Sequence, residues 1–379
     1  MKRFLLLFLI VLSCGTIITP QLKLKHSPPA LTAAQNYTHT KADLPTEMNV
    51  ETFFGPIHIT EPLLIELLHH PVLTRTRDID QHGPPTYFAQ QPTFSRYEHS
   101  LGVFALLRMH KRPLVEQVAG LLHDVSHTVF SHVADHLFKT GNQINYQDTI
   151  HHWYLEKMGL ASLLARYHLS IEDIDPDQPE FCALEQKSPK LCADRIQYIL
   201  HTGIVFNKIT HGELNVLLET LHFDGSHWYF SDQKQARILA DLALHFTEHF
   251  WATADNLAWR HWLCSALKQA IARNLITSDD IHFGTDSAVL TLLNTSHDPY
   301  IKEMMHKCYH YPQHYVRTDP SQSYDLSEHP KLRAVDPLVL LDNEVTPTPL
   351  SQRDSEYKNK LEETRHIISH GTYVQWIES

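Results

Sequence analysis

The chain has 379 residues, 42% of them hydrophobic and 20% charged, which is enough apolar matter for a core and unlike a collagenous, low-complexity or wholly disordered chain. Its formal charge of -11 counts all 30 histidines as neutral; with a reference pKa of about 6.5, protonating roughly 11 of them cancels that charge near pH ~6.7. A chain this close to neutrality offers no bulk basic face, which excludes general nucleic-acid binding.

In chain order, the sequence opens with Lys2 and Arg3, an unbroken apolar run over residues 4–12, and the small residues Ser13, Cys14 and Gly15. That is the pattern of a secretory signal and is too short for a membrane span. Residues 1–20 therefore read as a signal peptide or N-terminal anchor, and the protein as exported: periplasmic, secreted or lipid-anchored through Cys14. A cytoplasmic location follows if the apolar run is not a signal. Membrane attachment is expected only through this terminus. Residues 21–50 include Pro28 and Pro29 with many Thr, Asn and Ala and no apolar period, and read as a linker.

From Phe53 onward apolar residues recur at three- and four-residue steps over 61–68, 98–110, 114–122, 130–138, 146–157, 161–167, 192–201, 233–249 and 256–272. This period predicts a mainly α protein. Two stretches look strand-like: 79–88, broken by Gly83-Pro84-Pro85, and 220–230, where Asp224-Gly225 between aromatic residues signals a hairpin. The reading divides into a core domain over 51–210, a helical extension over 211–310, and a polar tail over 311–379 with a terminal helix near 356–368. The five cysteines include no CxxC; Cys182 and Cys192 are spaced to bridge, but nothing in the pattern demands it.

The chemistry concentrates in four blocks: RYEHSLGV at 96–103, AGLLHDVSH at 119–127, FSH at 130–132 and ADRIQY at 193–198. His99 starts one predicted helix and His123-Asp124 ends the next, with a short connection at Arg112-Pro113. Antiparallel pairing then sets His99 beside His123 and Asp124. Two imidazoles and a carboxylate suit a borderline divalent metal. Asp194, alone, reads as an acid favoured at a helix N-terminus.

These blocks, in this order, resemble the HD-domain phosphohydrolase superfamily, and within it the branch containing deoxynucleoside triphosphate triphosphohydrolases. The likeness runs over roughly residues 53–310, including Gly55 to His58, Asp80 to Gly83 and the Thr285-Asp286 run. It implies a helical bundle with one or two short β-hairpins and one divalent metal ion, Mn, Fe, Zn or Mg, on His99, His123, Asp124 and Asp194. It also implies phosphate contacts from His127 and His132, substrate contacts from Gln81, Arg96, Arg195 and Tyr198, and an orienting role for Asp135. The histidine the family pairs with that acid is absent: the position is Gln147. His151, one helical turn on the same face, either substitutes as the general acid or is inert. Ser126, Thr128 and Val129 replace the family's glycines and proline after HD, His82 replaces a leucine, and Thr202 replaces a sugar-binding acid.

Two functions follow from the resemblance. One is metal-dependent hydrolysis of a phosphate ester, with a nucleotide as one substrate; the other is a catalytically impaired module that binds metal and a phosphorylated ligand. A zinc-peptidase reading of His123-Asp124-x-x-His127 fails because Asp is too short for the general-base position and no third-ligand segment follows. The partner expected is a small phosphorylated substrate, and the family adds homo-oligomerisation.

Overall fold

The computed structural model describes residues 28–37, 44–138 and 145–377. The apolar run at 4–12, the cleavage region and Cys14 lie outside the described residues. Among those described, no helix is long and apolar enough to cross a membrane.

The fold is mainly α. Where composition predicts a linker, α1 (Pro29–Gln35) forms, with Pro29 at its first turn and Leu31 and Ala34 buried. Proline's fixed φ suits that position and starts the helix despite the polar surroundings. A hairpin of β1 (Met48–Thr52) and β2 (Gly55–Ile59) follows, turning at Gly55 with φ 107°. Then come α2 (Pro62–His69) and α3 (Pro71–Thr74). The strand-like reading of 79–88 fails. Asp80 makes only an isolated bridge to Ser95, and Pro84-Pro85 open the short helix α4 (Pro84–Phe88). The two prolines remove ladder donors and preset the helical φ, so they decide against a strand.

The central helices are α5 (Arg96–Met109), α6 (Leu114–Leu122), α7 (Val133–Leu137), α8 (Tyr146–Lys157), α9 (Leu160–Ala165) and α10 (Ala193–Val205). A capping box fixes the start of α5: Glu98 N–H donates to Ser95 Oγ, and Ser95 N–H to Glu98 Oε2. The short turn after Met109 returns the chain so that α6 packs along α5, and α10 packs on α5 from another side. Gly120 permits the first contact, since a Cβ there would lie 2.4 Å from Leu107 Cδ1.

After α11 (His211–Thr220) the expected hairpin appears as β3 (Leu221–Phe223) and β4 (Trp228–Phe230). The long helical pattern at 233–272 is two helices, α12 (Gln233–Phe246) and α13 (Ala254–Ala272), separated by one π-helical turn, Thr247–Trp251. Shorter helices α14 (Ser278–Phe283), α15 (Asp286–Thr295) and α16 (Pro299–Tyr309) complete a second apolar core around Trp259, Trp262 and Leu267.

Residues 311–377 are not a polar tail. They form β5 (Tyr315–Thr318), β6 (Leu326–Glu328), β7 (Leu338–Val339), β8 (Thr348–Pro349), α17 (Leu350–Arg353), α18 (Ser355–Ser369) and β9 (Thr372–Trp376). β9 lies between β5 and β6, and β7 adds in parallel to β4. The polar composition misleads because only a few widely spaced residues are buried here, among them Val335, Val339, Leu350, Tyr357, Leu361 and Val374. Most others face water, as amphipathic elements require. Arg237 of α12 fastens α18 through Asp354 at 2.6 Å and Glu356 at 3.0 Å. The cysteines of the described region are free thiols, so the Cys182–Cys192 pairing does not form.

Candidate metal centre and adjoining cavities

The start of α5 and the end of α6 meet as their short connection requires. His99 Nε2 lies 3.2 Å from His123 Nε2, 3.4 Å from Asp124 Oδ2 and 3.0 Å from Asp194 Oδ1, the last at the N-terminus of α10. His123 Nε2 is 3.6 Å from Asp194 Oδ1 and 3.7 Å from Asp124 Oδ1. All four residues named from the sequence as metal ligands are therefore brought together.

Their neighbours fix what these nitrogens can do. His99 Nδ1 is 2.5 Å from Gln197 Oε1, and His123 Nδ1 is 2.8 Å from the Gly120 carbonyl. Gln197 turns its NH2 to His201 Nδ1 at 3.1 Å, which leaves its oxygen for His99. Both Nδ1 atoms therefore donate, and both Nε2 atoms present lone pairs. With both rings neutral, two such lone pairs and two carboxylates facing one another in a buried space repel unless a cation, a proton or a metal ion, lies among them. The donor set, two imidazoles and two carboxylates oriented from behind by other groups, fits a divalent metal. Burial alone would lower the His123 pKa, but Asp124 and Asp194 outweigh it and lift it to about 9. The same histidines hold Asp194 well below the usual carboxylate range, against its own burial.

Gln197 escapes a reading of the sequence. The available signal is its spacing: Asp194 and Gln197 are i and i+3 on α10, hence on one face. Gly102, inside the first motif, makes room for it. A Cβ there would lie 2.5 Å from Gln197 Nε2 and 2.7 Å from its Cγ.

Arg96 does not reach out freely for substrate. Its guanidinium pairs with Asp124 Oδ2, and its Nε donates to Ser131 Oγ at 3.0 Å. Ser131 Oγ in turn donates to the Asp80 carbonyl at 2.6 Å. His127 Nε2 lies 3.4 Å from Asp124 Oδ1. Burial and the Arg96 charge push its pKa down to about 3, so it is neutral.

Asp135 departs from the expected pattern. It does not touch His151. Its Oδ2 lies 3.1 Å from His132 Nδ1, and its Oδ1 accepts the Tyr146 N–H at 2.7 Å. His151 instead meets Ser126 Oγ at 2.8 Å through Nδ1, and its buried Nε2 has no partner among the described residues. Burial, with help from His123, pushes its pKa down to about 4. The His151–Asp135 acid pair is thus replaced by a His132–Asp135 pair. The reason is local. Phe130 and Ser131 both adopt positive φ, 58° and 53°, which turns His132 back toward the acid on its own short helix. Asp286, the acid of the Thr285-Asp286 run, holds that turn: its Oδ1 accepts the Phe130 N–H at 2.6 Å, and its Oδ2 accepts Asp80 N–H at 3.0 Å and Tyr87 Oη–H at 2.7 Å.

Two cavities adjoin the centre. One, of about 390 Å³, contains His123, Asp124, His127, His151, Asp194 and Arg195. The other, of about 350 Å³, contains His82, Phe250, Trp251, Thr202 and Asn256. Gln81, Arg96, His132 and Tyr198 line both. Gln81 Oε1 is buried with no partner among the described residues. Arg195 lines the metal cavity while donating to the Lys190 carbonyl at 2.9 Å. His82 and Thr202, two of the replaced family positions, approach each other at 3.3 Å. Lys331 and Arg333 also line both cavities. Sequence reading misses them because they fall in the stretch that reads as tail.

Residues 96–193 match the family model of the HD domain. YdhJ of Bacillus subtilis (strain 168) is 29% identical over 293 residues, 77% of this chain and 88% of that protein. The metal-dependent phosphohydrolase cns2 of Cordyceps militaris is 31% identical over 210 residues, which span 55% of this chain and 59% of that protein. A phosphohydrolase from Bacteroides thetaiotaomicron, known from its crystal structure, has the same fold with a TM-score of 0.65 at 15% identity, covering 88% of this chain and all of that one. The matched segment supplies His99, His123 and Asp124 and ends one residue before Asp194, so this stretch of the chain is an HD domain.

Proposed function

We propose that this protein hydrolyses a phosphate ester, with one divalent metal ion held by His99, His123, Asp124 and Asp194. The observation that carries the reading is the convergence of two imidazoles, each oriented through its Nδ1 from behind, with two carboxylates, in a cavity that His132 of the His132–Asp135 pair also lines. A divalent ion bound by these residues would supply Lewis acidity toward a phosphoryl oxygen and would lower the pKa of water. The chain's own residues do the rest. Arg96 neutralises and orients Asp124. His127, neutral and buried, donates to a phosphoryl oxygen. His132 donates its Nδ1–H to Asp135 and keeps Nε2 as an acceptor, so it takes a proton from the attacking water and, as an imidazolium paired with Asp135, delivers it to the leaving oxygen. Burial holds its pKa below the usual value, which keeps the base form at neutral pH.

A nucleotide is the finer reading of the substrate. It is supported by the resemblance to the triphosphohydrolase branch and by the aromatic second cavity, where Tyr198 meets Trp251 edge-on at 5.4 Å. The decisive assay uses Mn²⁺-loaded protein against p-nitrophenyl phosphate, bis-p-nitrophenyl phosphate and nucleoside triphosphates. Bound metal without turnover of any of them would sink the hydrolase reading and leave a metal- and ligand-binding module, the reading favoured by the proton-inert Gln147 where the family carries a histidine. Export is proposed on residues 4–12 alone; mass spectrometry of the mature N-terminus, showing an intact Met1, would remove it.

A further inference from the structure

The two cavities meet at a junction that the HD segment does not complete. Lys331 and Arg333 reach it from the C-terminal region, between β6 and β7, and line both cavities. Neither is in an ion pair among the described residues. Lys331 Nζ has one neutral partner, Asn145 Oδ1 at 2.6 Å. Arg333 has no hydrogen bond among the described residues; its guanidinium lies over the rings of Tyr198 at 6.0 Å and Trp251 at 5.9 Å. Other arginines of the C-terminal half differ. Arg237, Arg260 and Arg353 each hold a carboxylate at short range.

Ring contact orients a guanidinium but satisfies none of its five N–H donors. Two cations two residues apart also repel. Partial desolvation of the ammonium at the cavity wall and the charge of Arg333 together push the Lys331 pKa down. An anion that accepts from both removes the repulsion and fills the donors. The charge already reaches the chemistry, because Arg333 is among the groups that lower the pKa of His132.

We propose that Lys331 and Arg333 form an anion clamp that binds non-bridging oxygens of the substrate's phosphate at this junction and selects phosphomonoesters over phosphodiesters. The inference rests on the reading of the metal cavity as a phosphohydrolase site. A monoester carries close to two negative charges at neutral pH, its second pKa being near ~6. A diester carries one, and its second ester group takes away an oxygen that the guanidinium would have bound. Two unpaired cations therefore gain more from the monoester.

The test uses full-length, Mn²⁺-loaded protein and the variants Lys331→Ala, Arg333→Ala and Arg333→Lys. Lys331 is exposed, so its truncation leaves the packing untouched; metal content and thermal midpoint check the others. KM for p-nitrophenyl phosphate and the inhibition constant of inorganic phosphate should each rise about tenfold in Arg333→Ala, with kcat/KM for bis-p-nitrophenyl phosphate changing by less than about threefold. Arg333→Lys should recover part of the loss. Equal losses on both esters, or an unchanged phosphate constant, overturn the clamp. Calorimetric titration with inorganic phosphate separates the two readings. Phosphate binding that is lost in Arg333→Ala supports the clamp even if the wild type turns over no ester, and only the hydrolase reading then fails.

Discussion

Gln197 Oε1 lies 2.5 Å from Nδ1 of His99, and that contact settles which nitrogen of the histidine faces the metal site. An imidazole held this way offers Nε2 as a lone pair, and removing such an outer partner typically costs roughly 10–100-fold in metal affinity. Gln197→Ala should therefore lower Mn²⁺ affinity by about tenfold or more. Gly102→Ala should do the same with both residues left in place, because the new methyl displaces the Gln197 side chain. Displacing the fully buried Gln197 costs about 1–3 kcal/mol, more than the intrinsic helix gain of alanine over glycine of about 0.5–1 kcal/mol, so the metal-free variant should also lose stability. Metal titration and thermal melting of the metal-free variant measure both, and unchanged affinity in Gly102→Ala would refute the link.

Metal binding should strengthen with pH. In the metal-free protein His123 has its pKa raised to about 9, so between its ordinary value of 6.5 and about 9 the folded chain holds a proton that the unfolded chain has released. That contribution to stability is full below about pH 6.5 and is lost as pH rises through about 9. A metal ion must displace the same proton. Apparent affinity should rise by up to about tenfold per pH unit across this window and level off above it, with about one proton released per ion. Calorimetry in buffers of different ionisation enthalpy counts that proton; a flat affinity between about pH 7 and 9 would contradict the assignment.

The His132–Asp135 pair and His151 make different kinetic predictions. His132→Ala should lower kcat by about 10²–10⁴-fold, the usual contribution of a positioned acid–base group. Asp135→Asn should lower it less and shift the pH profile, because an amide orients the ring without stabilising its charge. His151→Ala should change kcat by less than about fivefold, since its pKa of about 4 leaves it uncharged near neutrality. The reverse order, with His151 dominant, would restore the role that the sequence suggests for it.

Asp286 is a structural test of the same loop. Replacing it with alanine strips acceptors from the buried Phe130 and Asp80 N–H groups and from Tyr87. Each unpaired buried group costs about 1–3 kcal/mol, so Asp286→Ala should destabilise by roughly 3 kcal/mol or more. It should also lower kcat, because the positive-φ turn it holds aims His132. Denaturant unfolding at fixed metal concentration reports the first effect and turnover the second; normal kcat in a destabilised protein would separate the loop from catalysis.

The features legible in the chain are local ones. The three- and four-residue apolar period marks α5, α6, α8 and α10 within a few residues, and Asp224-Gly225 marks the β3–β4 hairpin. The short turn after α5 is enough to bring His99 to His123. Asp194 is recoverable only through the likeness to known HD domains, because a lone acid at a helix start has a common structural explanation. The C-terminal region eludes the same reading for the opposite reason. Its buried residues are too sparse to form a period, and their partners, such as Arg237 of α12 and β4, lie about a hundred residues away in the chain.

The helical class and the meeting of His99 with His123 and Asp124 thus need nothing beyond the order of residues, since they follow from spacing along single helices and one short connection. The rest comes from the folded arrangement. It pairs Asp135 with His132 instead of His151, puts Gln197 behind His99 through the space left by Gly102, and carries Lys331 and Arg333 to the cavity junction. Those relations depend on backbone turns and on contacts between distant segments, which no periodicity along the chain records. The thirty histidines of the composition resolve accordingly: a few gain their chemistry from what stands behind each ring, and their number alone says nothing about which.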